Sequence, residues 1–178
     1  EQVVDQYLAQ IMNTERERLR EASKQPLTPE SQWGDQKIKL SNICLYDGHD
    51  QEQTIFQTGD TLVLKMDYFA REEIIAPVGG VAIHRQDGAH VTGPNTSLAN
   101  LEIPQVTGTV RITFKIPSLP VLEGLYQFSV AVTNHEDTEM FDYHDRVYPF
   151  RVINRGGKIR EPYGMVTVNG EWAHETLE

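Results

Sequence analysis

The chain has 178 residues, 39% of them hydrophobic and 24% charged, with a formal net charge of -10. That length suits one sandwich-sized core and is short for two full domains, and the acidic balance argues against nucleic acid as a partner because the surface field repels a phosphate backbone. No segment approaches the ~20 apolar residues that span a bilayer, and a lone cysteine, Cys44, excludes an intramolecular disulfide and suits a reducing, cytoplasmic compartment.

At the start of the chain, Val4, Tyr7, Leu8, Ile11 and Met12 recur at helical spacing, and the run from Glu15 to Glu21 sets opposite charges three or four residues apart. This predicts an amphipathic helix over the first ~24 residues. Pro26 and Pro29 end it and impose extended, linker-like backbone. The apolar stripe admits two readings: the helix packs on its own domain, or it belongs against an upstream domain or a second copy of the chain. The chain opens Glu-Gln-Val-Val, without an initiator Met or signal-peptide patterning, and reads as a piece of a longer polypeptide whose final Leu177-Glu178 is a cloning remnant.

From Trp33-Gly34 onward the pattern has period two. Predicted strands are Lys37–Tyr46, Thr61–Phe69, Gly80–Arg85, Ala89–Thr92, Thr109–Ile116, Leu125–Thr133, Arg146–Ile153 and Met165–Val168. Val110, Ile112, Phe114 and Ile116 alternate with Arg111, Thr113 and Lys115, giving one core face and one wet face. Asp47-Gly48, Gly59-Asp60, Asp87-Gly88, Glu123-Gly124 and Asn169-Gly170 punctuate the strands at the spacing of an antiparallel all-β sandwich.

Gly79 to Asn95, GGVAIHRQDGAHVTGPN, reads as a β-hairpin whose strands carry ring-bearing and polar side chains, with His84 and His90 on either side of Asp87-Gly88. It is a candidate recognition surface. The mixture recurs at Tyr68-Phe69, Asn95-Thr96, Asn134-His135 and Tyr143-His144. Saccharides present apolar C–H faces and a ring of hydroxyls, so their sites take aromatic platforms beside Asn, Asp, His and Arg. Each residue alone also reads as structure: Tyr68, Tyr126 and Phe128 as core, an isolated strand histidine as satisfied packing. Strand parity sorts them. With Val81 and Ile83 inward, Ala82 and His84 face out and Arg85 turns inward or to an edge. Tyr126, Phe128, Val130 and Val132 form one set, which leaves Gln127, Ser129 and Thr133 to line an open face. Tyr68, Asn95, Tyr143 and His144 are rim candidates, and His90 is a solvated residue near the turn.

Other chemistry finds little purchase. There is no GxxxxGK[ST] phosphate cradle, Gly156-Gly157-Lys158 having neither the spacing nor a following Ser or Thr, and GxSxG and HExxH are absent. Cys44 lies in a strand-like apolar run and reads as a structural thiol. Between His135 and Asp145, two histidines and five carboxylates crowd into eleven residues. The segment has no turn-making Gly for a calcium loop and no tight His or Cys pairs for zinc, so no metal is expected, and its other reading is a solvated loop and short strand. Paired-carboxylate hydrolysis would need one acid lifted by burial, which spacing does not reveal.

The ordered series WGDQKIKLSNICLYD, FQTGDTLVLKMDYFA, GGVAIHRQDGAHVTGPNT, VRITFKIPSLPVLEGLYQFSVAV and FDYHDRVYPFRV, from about Trp33 to Val152, resembles the C-terminal carbohydrate-binding domain of Wzt. Wzt is the nucleotide-binding subunit of ABC transporters that export O-antigen polysaccharide. The resemblance implies an immunoglobulin-like or jelly-roll sandwich over residues 33–178, with residues 1–32 as helix and linker from an upstream ATPase domain in the same chain. It implies non-catalytic recognition of the modified non-reducing end of a lipid-linked O-antigen polysaccharide, coupling chain completion to export. The expected setting is cytoplasmic, at the inner face of the inner membrane, in a complex that reaches the transmembrane permease through the ATPase. It further implies a homodimer by exchange of a C-terminal strand, for which Met165–Val168, following the hinge from Asn154 to Gly157 and Pro162, is a suitable element. No cofactor is implied, and no ligand motif transfers. The alternative from another class is a structural dimerisation module that never touches glycan.

Overall fold

A computed structural model describes residues 2–154, 159, 161–168 and 170–176. Helix α1 (Gln2–Ala22) is followed by strands β1 (Gln32–Trp33), β2 (Ile38–Tyr46), β3 (Ile55–Gln57), β4 (Leu62–Ile75), β5 (Val78–Arg85), β6 (His90–Thr92), β7 (Gln105–Ile116), β8 (Gly124–Thr133) and β9 (Met140–Ile153). One sheet has the order β1-β9-β8-β5-β6, with β3 added beside β9, and the other has the order β2-β4-β7. The strand pairings are antiparallel except that of β3 with β9. This is the antiparallel all-β sandwich, led by an amphipathic helix, that the period-two pattern predicts.

Alternation builds the core. Tyr126, Phe128, Val130 and Val132 of β8 turn inward toward Leu62, Leu64, Met66 and Tyr68 of β4, all of them buried. The Phe150 ring sits among Phe128, Tyr126 and Phe56 at centroid distances of 5.1, 5.6 and 6.1 Å. Each such side chain removed from water stabilises the fold by ~1.5–3 kcal/mol before entropy is set against it.

Several elements depart from expectation: β1 and β3 are not among the predicted strands, and β7 begins at Gln105 rather than Thr109. β4 runs beyond Phe69 to Ile75 through an irregularity between Ala70 and Ile74. β9 starts at Met140 rather than Arg146, because residues 140–144 already pair with β8. Arg146 is instead a bulge residue at φ 51°, where the register with β8 shifts. Met165–Val168 shrinks to one bridge between Val166 and Val121, flanked by 2.8 Å bonds from Leu122 N–H to Met165 O and from Thr167 N–H to Pro120 O. Thr167 is buried while Val166 and Val168 are exposed at 42% and 83%, so the segment keeps an alternation but pairs at a single position. Arg155, Gly156 and Gly157 of the expected hinge, and Asn169, lie outside the described residues.

Helix α1 docks on its own sandwich through its second half. Leu19 is buried, Glu15 pairs with Arg151 at 2.8 Å, Arg20 pairs with Glu52 at 2.8 Å, and Thr54 Oγ1 donates to Arg16 O at 3.3 Å. Leu8 and Met12 continue that face half-buried, while Val4, Tyr7 and Ile11 are exposed. Among the described residues, no helix is long and apolar enough to cross a membrane.

Candidate functional site

The outer face of the larger sheet carries a cleft of about 280 Å³ across β5, β8 and β9. Its floor comes from cross-strand neighbours with almost no side chain. Gly80 pairs with Ala131 and Ala82 with Ser129, all on the parity opposite Val81, Val130 and Val132. A Cβ built on Gly80 would meet only Asn95 Cβ at 3.7 Å and Ala131 Cβ at 4.0 Å, ordinary contacts, so the space above Gly80 is open. Gly79 answers the other side of the sheet. A Cβ there would come within 3.0 Å of Tyr68 Oη, whose ring is fully buried. One glycine of the pair admits the tyrosine beneath, and the next opens the cleft above.

One wall is aromatic. Tyr143 lines the cleft and stacks on Trp33 at 4.3 Å and 19°, with Trp33 45% exposed. The two-residue strand β1 brings Trp33 opposite Tyr143 and Gln32 opposite His144. Gly34, at φ 134°, lets the chain cross β9 so closely that a Cβ would fall within 3.0 Å of the Phe141 carbonyl. Beneath the stack, Asp142 Oδ1 accepts from Gln32 Nε2 at 2.9 Å and Gln36 Nε2 at 2.8 Å, and Oδ2 accepts from Leu40 N–H at 2.9 Å. His144 Nε2 lies 3.2 Å from Asp142 Oδ2, and Nδ1 lies 2.6 Å from Tyr148 Oη. Gln32 Nε2 also lies 3.1 Å from His144 Nε2, so the imidazole is held by Asp142, Gln32 and Tyr148 together. Burial would raise the Asp142 carboxyl, but the donors from His144, Gln32, Leu40 and Gln36 outweigh it and hold the pKa below the usual carboxylate range.

The opposite wall is His90, Gly93, Pro94 and Asn95. Asn95 Oδ1 accepts from Leu98 N–H at 2.7 Å, which fixes the side chain, while its amide nitrogen has no hydrogen-bond partner among the described residues. Thr133, Asp137 and Met140 close one end.

Of the residues singled out from sequence, Asn95, Ser129, Thr133 and Tyr143 come together in this cleft. The Ser129 hydroxyl donates to Asp145 Oδ1 at 3.1 Å and accepts from Arg146 N–H at 2.9 Å, so it braces the β9 bulge. Ser129 and Thr133 are both buried, a correction to an openly exposed row. His84 and Gln127 pair with each other on the same face, beyond the lining. The His84 ring lies 5.0 Å from that of His90, its Nδ1 is buried without a partner, and burial, then His90 and Arg146, lowers its pKa. Two expectations are corrected outright. Tyr68 is core, in phase with Leu62, Leu64 and Met66, and His144 is buried on the inner side of β9, so neither stands at a rim. His90, expected to be merely solvated, lines the cleft. Trp33 was not foreseen, since a two-residue strand has no period to read.

Only one carboxylate, Asp137, is among the lining residues, and among the described residues no three His, Cys, Asp or Glu side chains gather as a metal site.

The family model described as the Wzt C-terminal domain matches residues 29–168. The crystal structure of the C-terminal domain of Wzt superposes with a TM-score of 0.74 at 16% identity, covering 86% of this chain and 95% of that one, a likeness of fold. A structural-genomics target, SoR45, reaches a TM-score of 0.35 at 12% identity over 73% of this chain and 97% of its own, too distant to carry an argument. No curated protein matches.

Proposed function

Because this chain belongs to the Wzt C-terminal domain family, we propose that it is the carbohydrate-binding module of an ABC-transporter subunit, and that it recognises the modified non-reducing end of a lipid-linked O-antigen polysaccharide without catalysis. The observation that carries this reading is the cleft itself: a floor of Gly80, Ala82 and Ala131 between a Tyr143 wall backed by Trp33 and a wall of His90 and Asn95. A pyranose lays its apolar face on a ring and offers hydroxyls to amide, imidazole and hydroxyl groups, and this cleft presents both. Asn95, Thr133, Tyr143 and His90 are the proposed contacts, with His84 and Gln127 reading sugars further along the face. Glycoside hydrolysis takes two facing carboxylates, whereas one lines the cleft. Affinity between millimolar and micromolar is expected, since each hydroxyl exchanges a water hydrogen bond for a protein one.

In this reading residues 1–32 join the module to an ATPase domain of the same chain, and through it to a transmembrane permease at the cytoplasmic face of the inner membrane. The module acts as a homodimer that exchanges C-terminal strands. The test is calorimetric titration with the cognate O-polysaccharide carrying or lacking its terminal modification, against the wild type and Gly80→Leu. Binding of the modified chain, lost when leucine fills the floor, is expected. Equal heats for both glycans, or undiminished binding by Gly80→Leu, would leave the scaffold alternative.

A further inference from the structure

Along β5, on the outer face of the larger sheet, one row of residues passes under the cleft and continues beyond it. His84, paired with Gln127, stands at one end, Ala82 and Gly80 floor the cleft, and Val78, the first residue of the strand, ends the row. Same-face residues of a strand are about 7 Å apart. Val78 pairs with Thr133, which with Asp137 and Met140 closes that end of the cleft from β8, β9 and their connection. On the β5 side the boundary is Val78 itself. Its side chain also lines a second cavity of about 380 Å³, so the cleft and this cavity meet there.

The cavity lies between the turn that joins β4 to β5 and the segment from Thr96 to Pro104, which is pinned at both ends. Thr96 N–H donates to Gly79 O at 2.8 Å, Gly79 N–H donates to Thr96 Oγ1 at 3.1 Å, and Ala76 N–H donates to Pro104 O at 2.9 Å. The floor is apolar, with Pro77, Val78 and Ile103 buried. The rim is polar and unused: Ser97, Asn100, Glu102 and His135 are exposed, and their side chains make no hydrogen bond or ion pair among the described residues. A fixed frame with an apolar floor and free polar groups is the make-up of a ligand subsite. Its charge narrows the occupant. Glu102 places a carboxylate here and Asp137 another at the adjoining end of the cleft, while no lysine or arginine is among the residues lining either. A phosphate or an acid would meet like charge with no such cation to offset it. An acyl group suits the lining, since its alkyl part covers Val78 and Ile103 while its carbonyl oxygen accepts from the Ser97 hydroxyl or the Asn100 amide.

We propose that this cavity receives the substituent carried by the terminal sugar, and that the substituent is an uncharged acyl group rather than a phosphate or an acid. This rests on the reading of the cleft as the seat of a modified non-reducing end. With later sugars over His84 and Gln127, the terminal ring lies over Gly80 and Ala82, and its substituent reaches Val78.

Calorimetric titration of the full chain with the cognate O-polysaccharide, carrying or lacking its terminal modification, tests this. Equal binding of both glycans by the wild type would overturn the reading of the cleft and this inference together. Given a wild-type preference for the modified chain, Ser97→Ala/Asn100→Gly should lower the affinity for it about tenfold, toward that for the unmodified chain. Glycine keeps the backbone at position 100, where φ is 54°. Full preference retained by that variant overturns the inference and leaves the reading of the cleft standing. Glu123→Ala, which removes an exposed carboxylate before the far end of β8, should bind as the wild type does, and an equal loss there also overturns it. Glu102→Lys should not strengthen binding of the modified chain; a tenfold gain would mark the substituent as anionic and refute the proposal. On the wild type alone, nuclear Overhauser effects should join alkyl protons of the bound terminus to the Val78 and Ile103 methyl groups. Their absence, or a terminus that carries no acyl group, refutes it as well.

Discussion

Gly79→Ala isolates the packing argument beneath the cleft. The new methyl would lie within 3.0 Å of Tyr68 Oη, 3.3 Å from Cζ and 3.5 Å from Cε2, and the ring has nowhere to retreat because Tyr68 is 0% exposed. Overpacking of this kind costs ~1–3 kcal/mol. Removing a glycine from a strand returns roughly 0.5–1 kcal/mol, so the variant should lose about 1–2 kcal/mol, read as a lower urea midpoint at unchanged slope. Tyr68→Phe gives up a long 3.4 Å bond to Ala131 O and a weak 4.0 Å contact with Met66 Sδ, and should cost under ~1 kcal/mol. The double variant loses the clashing oxygen and keeps only the tight Cζ approach. It should therefore be more stable than the sum of the singles by about 1 kcal/mol. Gly80→Ala, whose methyl meets neighbours at 3.7 and 4.0 Å, should hold or gain stability. The reasoning is wrong if Gly79→Ala matches Gly80→Ala in midpoint, or if the Gly79 and Tyr68 effects simply add.

Trp33→Ala should weaken saccharide binding about tenfold, by removing a ring that backs the Tyr143 platform, while the melting temperature barely moves; a large fall in melting temperature would mean that Trp33 is structural. The depressed pKa of Asp142 contributes stability that is fully present above the ordinary carboxylate value of 3.8 and is lost as pH falls through the lower folded value. Asp142→Asn should therefore flatten the acid limb of stability measured from about pH 6 to about pH 3, and an unchanged limb refutes the assignment. His84 should titrate below 6.5 by NMR, because its burial disfavours the imidazolium; a midpoint at or above that value contradicts its buried Nδ1. Leu19→Ala should release the second half of α1 at a cost of ~1.5–3 kcal/mol, seen as faster amide exchange in the helix with little change in the strands.

The fold was legible where burial is one-sided. β7 alternates cleanly, and the inward residues of β8 are those the pattern assigns, although Ser129 and Thr133 on its other parity are buried as well. The same rule, applied to β4, places Tyr68 with Leu62, Leu64 and Met66, so its rim assignment came from weighing residue type above parity. His144 was a different matter. An inward histidine and aspartate on β9 look like solvent-facing residues unless their partners are known, and Gln32 sits 112 positions away from His144 in sequence. Trp33 escaped because two residues carry no periodicity, although the glycine that follows it hinted at a close crossing. The two histidines exchanged rank because the register shifts between Ile83 and His84, which turns His90 toward the cleft. Parity alone cannot see a bulge.

β1 gives the cleft an unusual dependency. Its ladder consists of the two residues Gln32 and Trp33 on the open edge of β9, held from beneath by amide contacts to Asp142. So short a piece of edge opens at a far lower free energy than the sandwich that carries it. The aromatic platform can thus fray and re-form while every other strand stays paired, which makes its occupancy a local equilibrium. The same few residues continue directly from the linker that leaves α1. The linker thus runs between two unequal anchors, the docked second half of α1 with Leu19, Glu15 and Arg20 on one side and the two-residue ladder of β1 on the other, and a pull along it opens the ladder first.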